Sequence, residues 1–105
     1  MIDKSGVFNL EYEETIADGQ NGETLYIHPV NAKRDGVTCT IISSGNTGKF
    51  QYTTSSKTSI IAGTEVWQNW AQGNVTATTT DSITSPVTAI RGVSISGEIE
   101  IAVVI

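Results

Sequence analysis

Two tryptophans and one arginine are the side chains of this sequence best suited to recognition chemistry: Trp67 and Trp70 in the stretch "EVWQNWAQG", and Arg91 in "VTAIRGVSIS". An indole face stacks on a sugar ring, and Trp and Arg are enriched among the residues that dominate protein interfaces. The spacing of the tryptophans bears on what they can do. Residues three apart on a strand point to opposite faces, whereas a helical turn would put both on one side. On a strand, Trp67 shares a face with Glu65 and Asn69, and Trp70 with Val66 and Gln68. One indole is then a core anchor and the other a partner anchor. The apolar company of Val66 marks Trp70 as the core member.

Catalytic constellations are not specified. His28, in "YIHPV", is the single histidine, with no cysteine or second histidine near it in sequence to complete a zinc site. It reads as a satisfied strand histidine. No G-x-S-x-G elbow accompanies the many serines. The acids of "EYEE" alternate, with Glu11 and Glu13 on one strand face and Glu14 on the other, which describes a solvated face better than a paired-carboxylate or calcium site. "SSGNTGK" lacks the spacing of a phosphate loop. The expectation is a protein that is not an enzyme, with no metal and no cofactor.

The elements that must position these residues are strands. "VFNLEYE" alternates, with Phe8, Leu10 and Tyr12 on one side. "TLYIHPV" ends at a Pro29 that cannot donate to a ladder. "VTCTII" and "KFQYTT" read as two strands separated by a turn at "SSGNTG". A short strand over residues 59–66, broken at Gly63, then "NVTATTT", a loop at "DSITSP", and two final strands complete the pattern. Turn signals every eight to twelve residues have the spacing of a sandwich or barrel, and the expected fold is one all-β, antiparallel β-sandwich domain over residues 1–105, jelly-roll or immunoglobulin-like. In the last two strands Ala89, Arg91, Val93 and Ile95 form one row and Ile99, Ile101, Val103 and Ile105 another. If both rows face the core, Ile95 lies opposite Ile99, which calls for a hairpin loop of Ser96, Gly97 and Glu98. Arg91 then falls on the apolar face opposite Val103. Its guanidinium must reach water at the rim of the core or a carboxylate on a neighbouring subunit. "IAVVI" is apolar on both faces, as in a central strand or in one whose outer face meets another chain.

Composition excludes several classes of partner. Net charge is −5, and the six basic residues form no cluster beyond Lys33-Arg34, so neither nucleic acid nor an anionic membrane is an expected partner. Hydrophobic residues make up 38% of the chain and charged residues 16%, and the shortfall in charge is filled by Ser and Thr, which suit a half-exposed pleated surface. Cys39 is the only cysteine and sits within an apolar strand, so a buried thiol and a reducing compartment are expected. "MIDKSGVF" carries no signal-peptide core and no apolar run is long enough to span a bilayer, consistent with folding in the cytosol.

The C-terminal third, "WQNWAQGNVTATTT" followed by "SPVTAIRGVSISGEIEIAVVI", resembles small β-rich virion proteins of tailed bacteriophages encoded among head and tail genes. That resemblance implies a structural protein of the virus particle. Capsid decoration, or cement, proteins of this kind are often jelly-roll or immunoglobulin-like domains and often trimeric. The expected partners are therefore the major capsid protein or other virion subunits, together with further copies of the chain, a trimer being favoured. The expected location is the capsid surface. Trp67, Trp70, Arg91, Val104 and Ile105 are the expected interface residues. The rival expectations are a carbohydrate-binding domain on a virion or fibre, with the tryptophans as platform, and a tail or neck adaptor.

Overall fold

A computed structural model of the chain describes residues 1–5, 11–27, 36–84 and 87–105. The expected positions Phe8, Leu10, His28, Pro29, Lys33 and Arg34 lie outside these residues. The chain is all-β and antiparallel. Among the described residues the strands are β1 (Ile2–Asp3), β2 (Glu11–Ile16), β3 (Leu25–Tyr26), β4 (Val37–Thr53), β5 (Gln68–Asn69), β6 (Val75–Ile83), β7 (Ala89–Ser96) and β8 (Ile99–Val104), with one short helix, α1 (Lys57–Ala62), between β4 and β5. They form one sheet in the order β1-β2-β8-β4-β7-β3, and β5 and β6 also pair with β4. The sheet is curled on itself into a sandwich-like half-barrel, so both layers belong to the same sheet.

The long strand β4 organises this curl. Along one edge it pairs first with β8, from Thr38↔Val104 to Ile42↔Glu100, and then with β7, from Thr47↔Ser96 to Thr53↔Ala89. Along its other edge it pairs with β6 and then β5. Near the middle the inward-facing set changes parity. Val37, Cys39 and Ile41 face the core in the first half of β4, and Gly48 and Phe50 in the second. The same switch separates Ile90 and Gly92 in β7 from Ile99, Ile101 and Val103 in β8. An extra residue that bends a strand while keeping its apolar set inside is a β-bulge, and the β4 ladders shift register at this point.

Side chains pin the corner. Gly97 adopts φ 79, and its N–H donates to Asp18 Oδ1 at 2.8 Å. Asn46 Nδ2 donates to the Glu98 carbonyl at 2.8 Å, and Gly19 N–H to Ser94 Oγ at 3.2 Å. The fold brings Ile16 and Ile101 against Gly92, where a β-carbon would lie 2.8 Å from Ile16 Cδ1. The apolar cluster so enclosed includes Ile41, Phe50, Trp70, Ile90, Ile99 and Val103.

Four expectations are corrected. "SSGNTG" is not a reversal, because β4 runs through it with Gly45 at φ 93 and exchanges partners rather than direction. Residues 96–98 do not close a hairpin: β7 and β8 lie end to end along β4, and the bulge puts Arg91 and Val93 on the face opposite to Ile99 and Ile101. Residues 57–62 are helical, not extended. Ser56 caps the helix start by accepting from Ser59 N–H, and Gly63 at φ 77 closes its end. β6 continues through Asp81 to Ile83, so the first three residues of the loop expected at "DSITSP" are strand. Other expectations match the structure. Cys39 is fully buried, Glu14 points away from Glu11 and Glu13, and Gly97 supplies the left-handed backbone. Of the two alternatives for "IAVVI", β8 is a central strand, between β2 and β4.

Hydroxyl pairs explain the richness in threonine. On the outer face of the first half, Thr40 and Thr80 hydroxyls lie 2.9 Å apart, and Thr38 and Ser82 hydroxyls 3.4 Å apart, directly across β4 and β6. Such cross-strand pairs stabilise a solvent-facing sheet surface without burying charge.

Candidate functional site

The outer face of the second half carries the one cluster that joins several of the singled-out residues. Gln51 lies directly opposite Arg91 on one side and Asn69 on the other, so the three form a row across β7, β4 and β5. Gln51 Oε1 accepts two hydrogen bonds from Arg91, from Nε at 3.0 Å and Nη2 at 2.8 Å, and Gln51 Nε2 donates to Asn69 Oδ1 at 3.2 Å. One amide thus holds the guanidinium flat against the sheet. Trp67, immediately before β5, covers it: the Arg91 guanidinium carbon sits 4.1 Å from the ring centroid. That distance is a cation–π stack, worth about 1 kcal/mol when partly desolvated.

Glu65 completes the group. Its Oε1 accepts from Trp67 Nε1 at 3.1 Å. That hydrogen bond, with a smaller contribution from Arg91, holds the Glu65 carboxyl below its ordinary pKa. Burial lowers the Arg91 pKa, and Glu65 opposes the shift. Both groups are charged at neutral pH. Glu65 Oε2 is shielded from solvent and has no hydrogen-bond partner.

The connection from β4 to β5 puts this cluster in place. Ala89 and Thr53, opposite one another on the outer face, are nevertheless fully buried. The connection folds back over them: Ser55 N–H donates to Thr53 Oγ1, Lys57 Nζ lies 5.0 Å over the Tyr26 ring, and Trp67 lies over Arg91. The same connection carries two exposed aliphatics, Ile61 at 73% and Val66 at 67% exposure.

The tryptophans part as the strand spacing predicts. Trp70 is 3% exposed, with its ring centroid 5.1 Å from Phe50 at 60° and its Nε1 donating to the Gly73 carbonyl at 2.7 Å. It is a core residue, and the expectation that it serves an interface is corrected, since its ring is closed off by Phe50 and the Gly73 turn. The reason differs from the one read in sequence, because Val66 is exposed and gives Trp70 no cover. Arg91 is also corrected in position: it lies outside the core face, stacked and half-buried, rather than opposite Val103. Val104 and Ile105 belong to the other half of the sheet and do not join the cluster. Val104 is 38% exposed between Glu11 and Thr38, and Ile105 packs partly on the core.

Gln51 is the member that sequence reasoning missed. Its position depends on β4 running unbroken to β7, which "SSGNTG" conceals. Glu65 and Asn69 were visible as the strand-face companions of Trp67.

Among the described residues there is no group of three His, Cys, Asp or Glu side chains placed to hold a metal ion, and no helix long and apolar enough to cross a membrane. Compared with protein-family models, with curated proteins and with solved structures, the chain matches none.

Proposed function

We propose that this chain is a structural, partner-binding β domain of a virus particle, a capsid decoration protein that lies across junctions of coat subunits and engages them through the Trp67–Arg91 face. The observation that carries the proposal is the half-buried stack of Arg91 on Trp67, held by Gln51 and flanked by the exposed Val66. Interfaces concentrate their energy in Trp and Arg anchors that are already ordered before binding, since little side-chain entropy remains to be lost. The kind of partner is proposed from the sequence of residues 65–105, read above as resembling phage virion proteins. Binding only to the assembled shell would stabilise it by mass action.

The test is binding of the purified chain to coat particles that lack it, followed by co-sedimentation. Trp67→Ala and Arg91→Ala are expected to weaken binding about tenfold or more each, as truncated hot-spot residues do. Arg91→Lys should weaken it too, because a lysine cannot lie flat on the indole or hold Gln51 through two donors. Absence of binding by the unmodified protein overturns the proposal. A second reading is favoured by the amides beside Trp67, namely Gln51 and Asn69: an indole edged by such groups also suits a sugar. A glycan array separates the two, and retention of a defined glycan by the wild type but not by Trp67→Ala would select the carbohydrate reading.

A further inference from the structure

Strand β6 pairs with β4 along one edge, and among the described residues nothing pairs with its other edge. It spans nine residues, Val75–Ile83, and its only charge is Asp81. Thr76, Ala77, Thr78, Thr80 and Ser82 are exposed. Two of its backbone groups are occupied by its own side chains: Ser82 N–H donates to Asp81 Oδ1 at 2.8 Å, and the Ala77 carbonyl accepts from Thr79 Oγ1 at 2.9 Å. Such local bonds are what an unpaired edge makes when no strand takes its groups. A long, nearly uncharged edge is a template for pairing with another chain.

The order of residues along β6 says which chain fits. Read against itself in antiparallel sense about Thr79, "VTATTTDSI" pairs Val75 with Ile83, Thr76 with Ser82, Ala77 with Asp81, and Thr78 with Thr80. Apolar meets apolar, hydroxyl meets hydroxyl, and each Asp81 meets an alanine rather than the other Asp81. The hydroxyl pairs would repeat across the new seam the Thr40–Thr80 and Thr38–Ser82 pairs already present between β4 and β6. A shift of the axis to Thr78 would instead oppose Val75 to Asp81. A contact of this kind is isologous, the same strand on both sides of a two-fold axis, and closes as a dimer.

We propose that β6 is a self-association edge, through which two copies of the chain join their sheets antiparallel about Thr79. This is independent of what the Trp67–Arg91 face binds, and its failure leaves that reading standing.

The test is sedimentation velocity on the full chain, from low micromolar to near-millimolar concentration. The wild type is expected to pass from monomer to dimer. Thr78→Lys/Thr80→Lys places two lysine pairs directly opposite one another and should weaken association about tenfold or more. Thr78→Glu/Thr80→Glu should do the same. Both residues are exposed, so circular dichroism should show each variant folded. An equimolar mixture of the lysine and glutamate variants should recover the dimer, because opposite charges then face each other. A wild type that stays monomeric throughout, a trimer, a lysine variant that dimerises like the wild type, or a mixture that fails to associate would each overturn the proposal.

Discussion

Replacing Trp70 with alanine should be among the costliest single changes to this domain. The ring is 3% exposed, so nearly all its apolar surface is withdrawn from water on folding. Truncating such a buried aromatic typically costs about 3–5 kcal/mol, including the cavity left behind. Roughly 1 kcal/mol of that belongs to the tilted contact with Phe50 at 5.1 Å. The lost Nε1 donation to the Gly73 carbonyl adds about 1 kcal/mol at most, because Gly73 is only half-buried and water can replace the indole. The expected loss is therefore about 4 kcal/mol, or about 18 °C in melting temperature for a chain of this length. Trp67→Ala removes a half-buried ring and one cation–π stack, and should cost about 1.5 kcal/mol. Urea unfolding followed by circular dichroism at low temperature measures both. Trp70→Phe, expected to lose roughly half as much as the alanine variant, keeps the comparison measurable if that variant does not fold. A Trp70→Ala loss no larger than that of Trp67→Ala would refute the assignment of core and surface tryptophans.

Two further outcomes follow from the core and the corner. Burial, with a smaller contribution from Asp81, pushes the Cys39 thiol up to about 12, so alkylation by iodoacetamide at mildly alkaline pH should be about a thousandfold slower in the folded protein than in urea. An unfolded thiol ionises near ~8.5 and the native one near 12, so the unfolded state loses its proton first. The Cys39 contribution to stability is accordingly full below that lower pKa and falls by about 1.4 kcal/mol per pH unit above it; the urea midpoint of Cys39→Val should decline less steeply over this alkaline window than that of the wild type. Gly97→Ala should cost about 1–3 kcal/mol in urea unfolding, because φ 79 is strained for alanine and the new β-carbon meets the Asn46 side chain. A neutral result there would show that the bulge at residues 96–98 does not require its left-handed glycine.

Much of the strand content was legible because alternation is local. Glu11 to Glu14, Val75 to Thr79 and Ile99 to Val103 show their faces in the order of their residues. What could not be read was where a strand bends rather than turns. Gly45 and Gly97 both take positive φ, which a hairpin and a bulge use alike, and the choice depends on which distant strand is waiting: β8 and β7 for the one, β4 for the other. A wrong choice reverses parity beyond it, and for this reason Arg91 was expected on the core face. The helix at Lys57–Ala62 was obscured by its β-branched residues Thr58, Ile60 and Ile61, although Ser56 and Gly63 supply the capping signals. Of the candidate site, the Trp67–Glu65–Asn69 face was readable from spacing, whereas the Gln51–Arg91 contact needed the register of β4 on β7.

The account's central claim is that the Trp67–Arg91 face is a virion contact. Cryo-electron microscopy of the virus particle proposed to carry this chain tests it most directly. The expected result is density for this curled β domain on the outside of the shell, with Trp67 and Arg91 buried against coat subunits. A shell without that density, or a domain seated with Trp67 and Arg91 facing solvent, would contradict the claim.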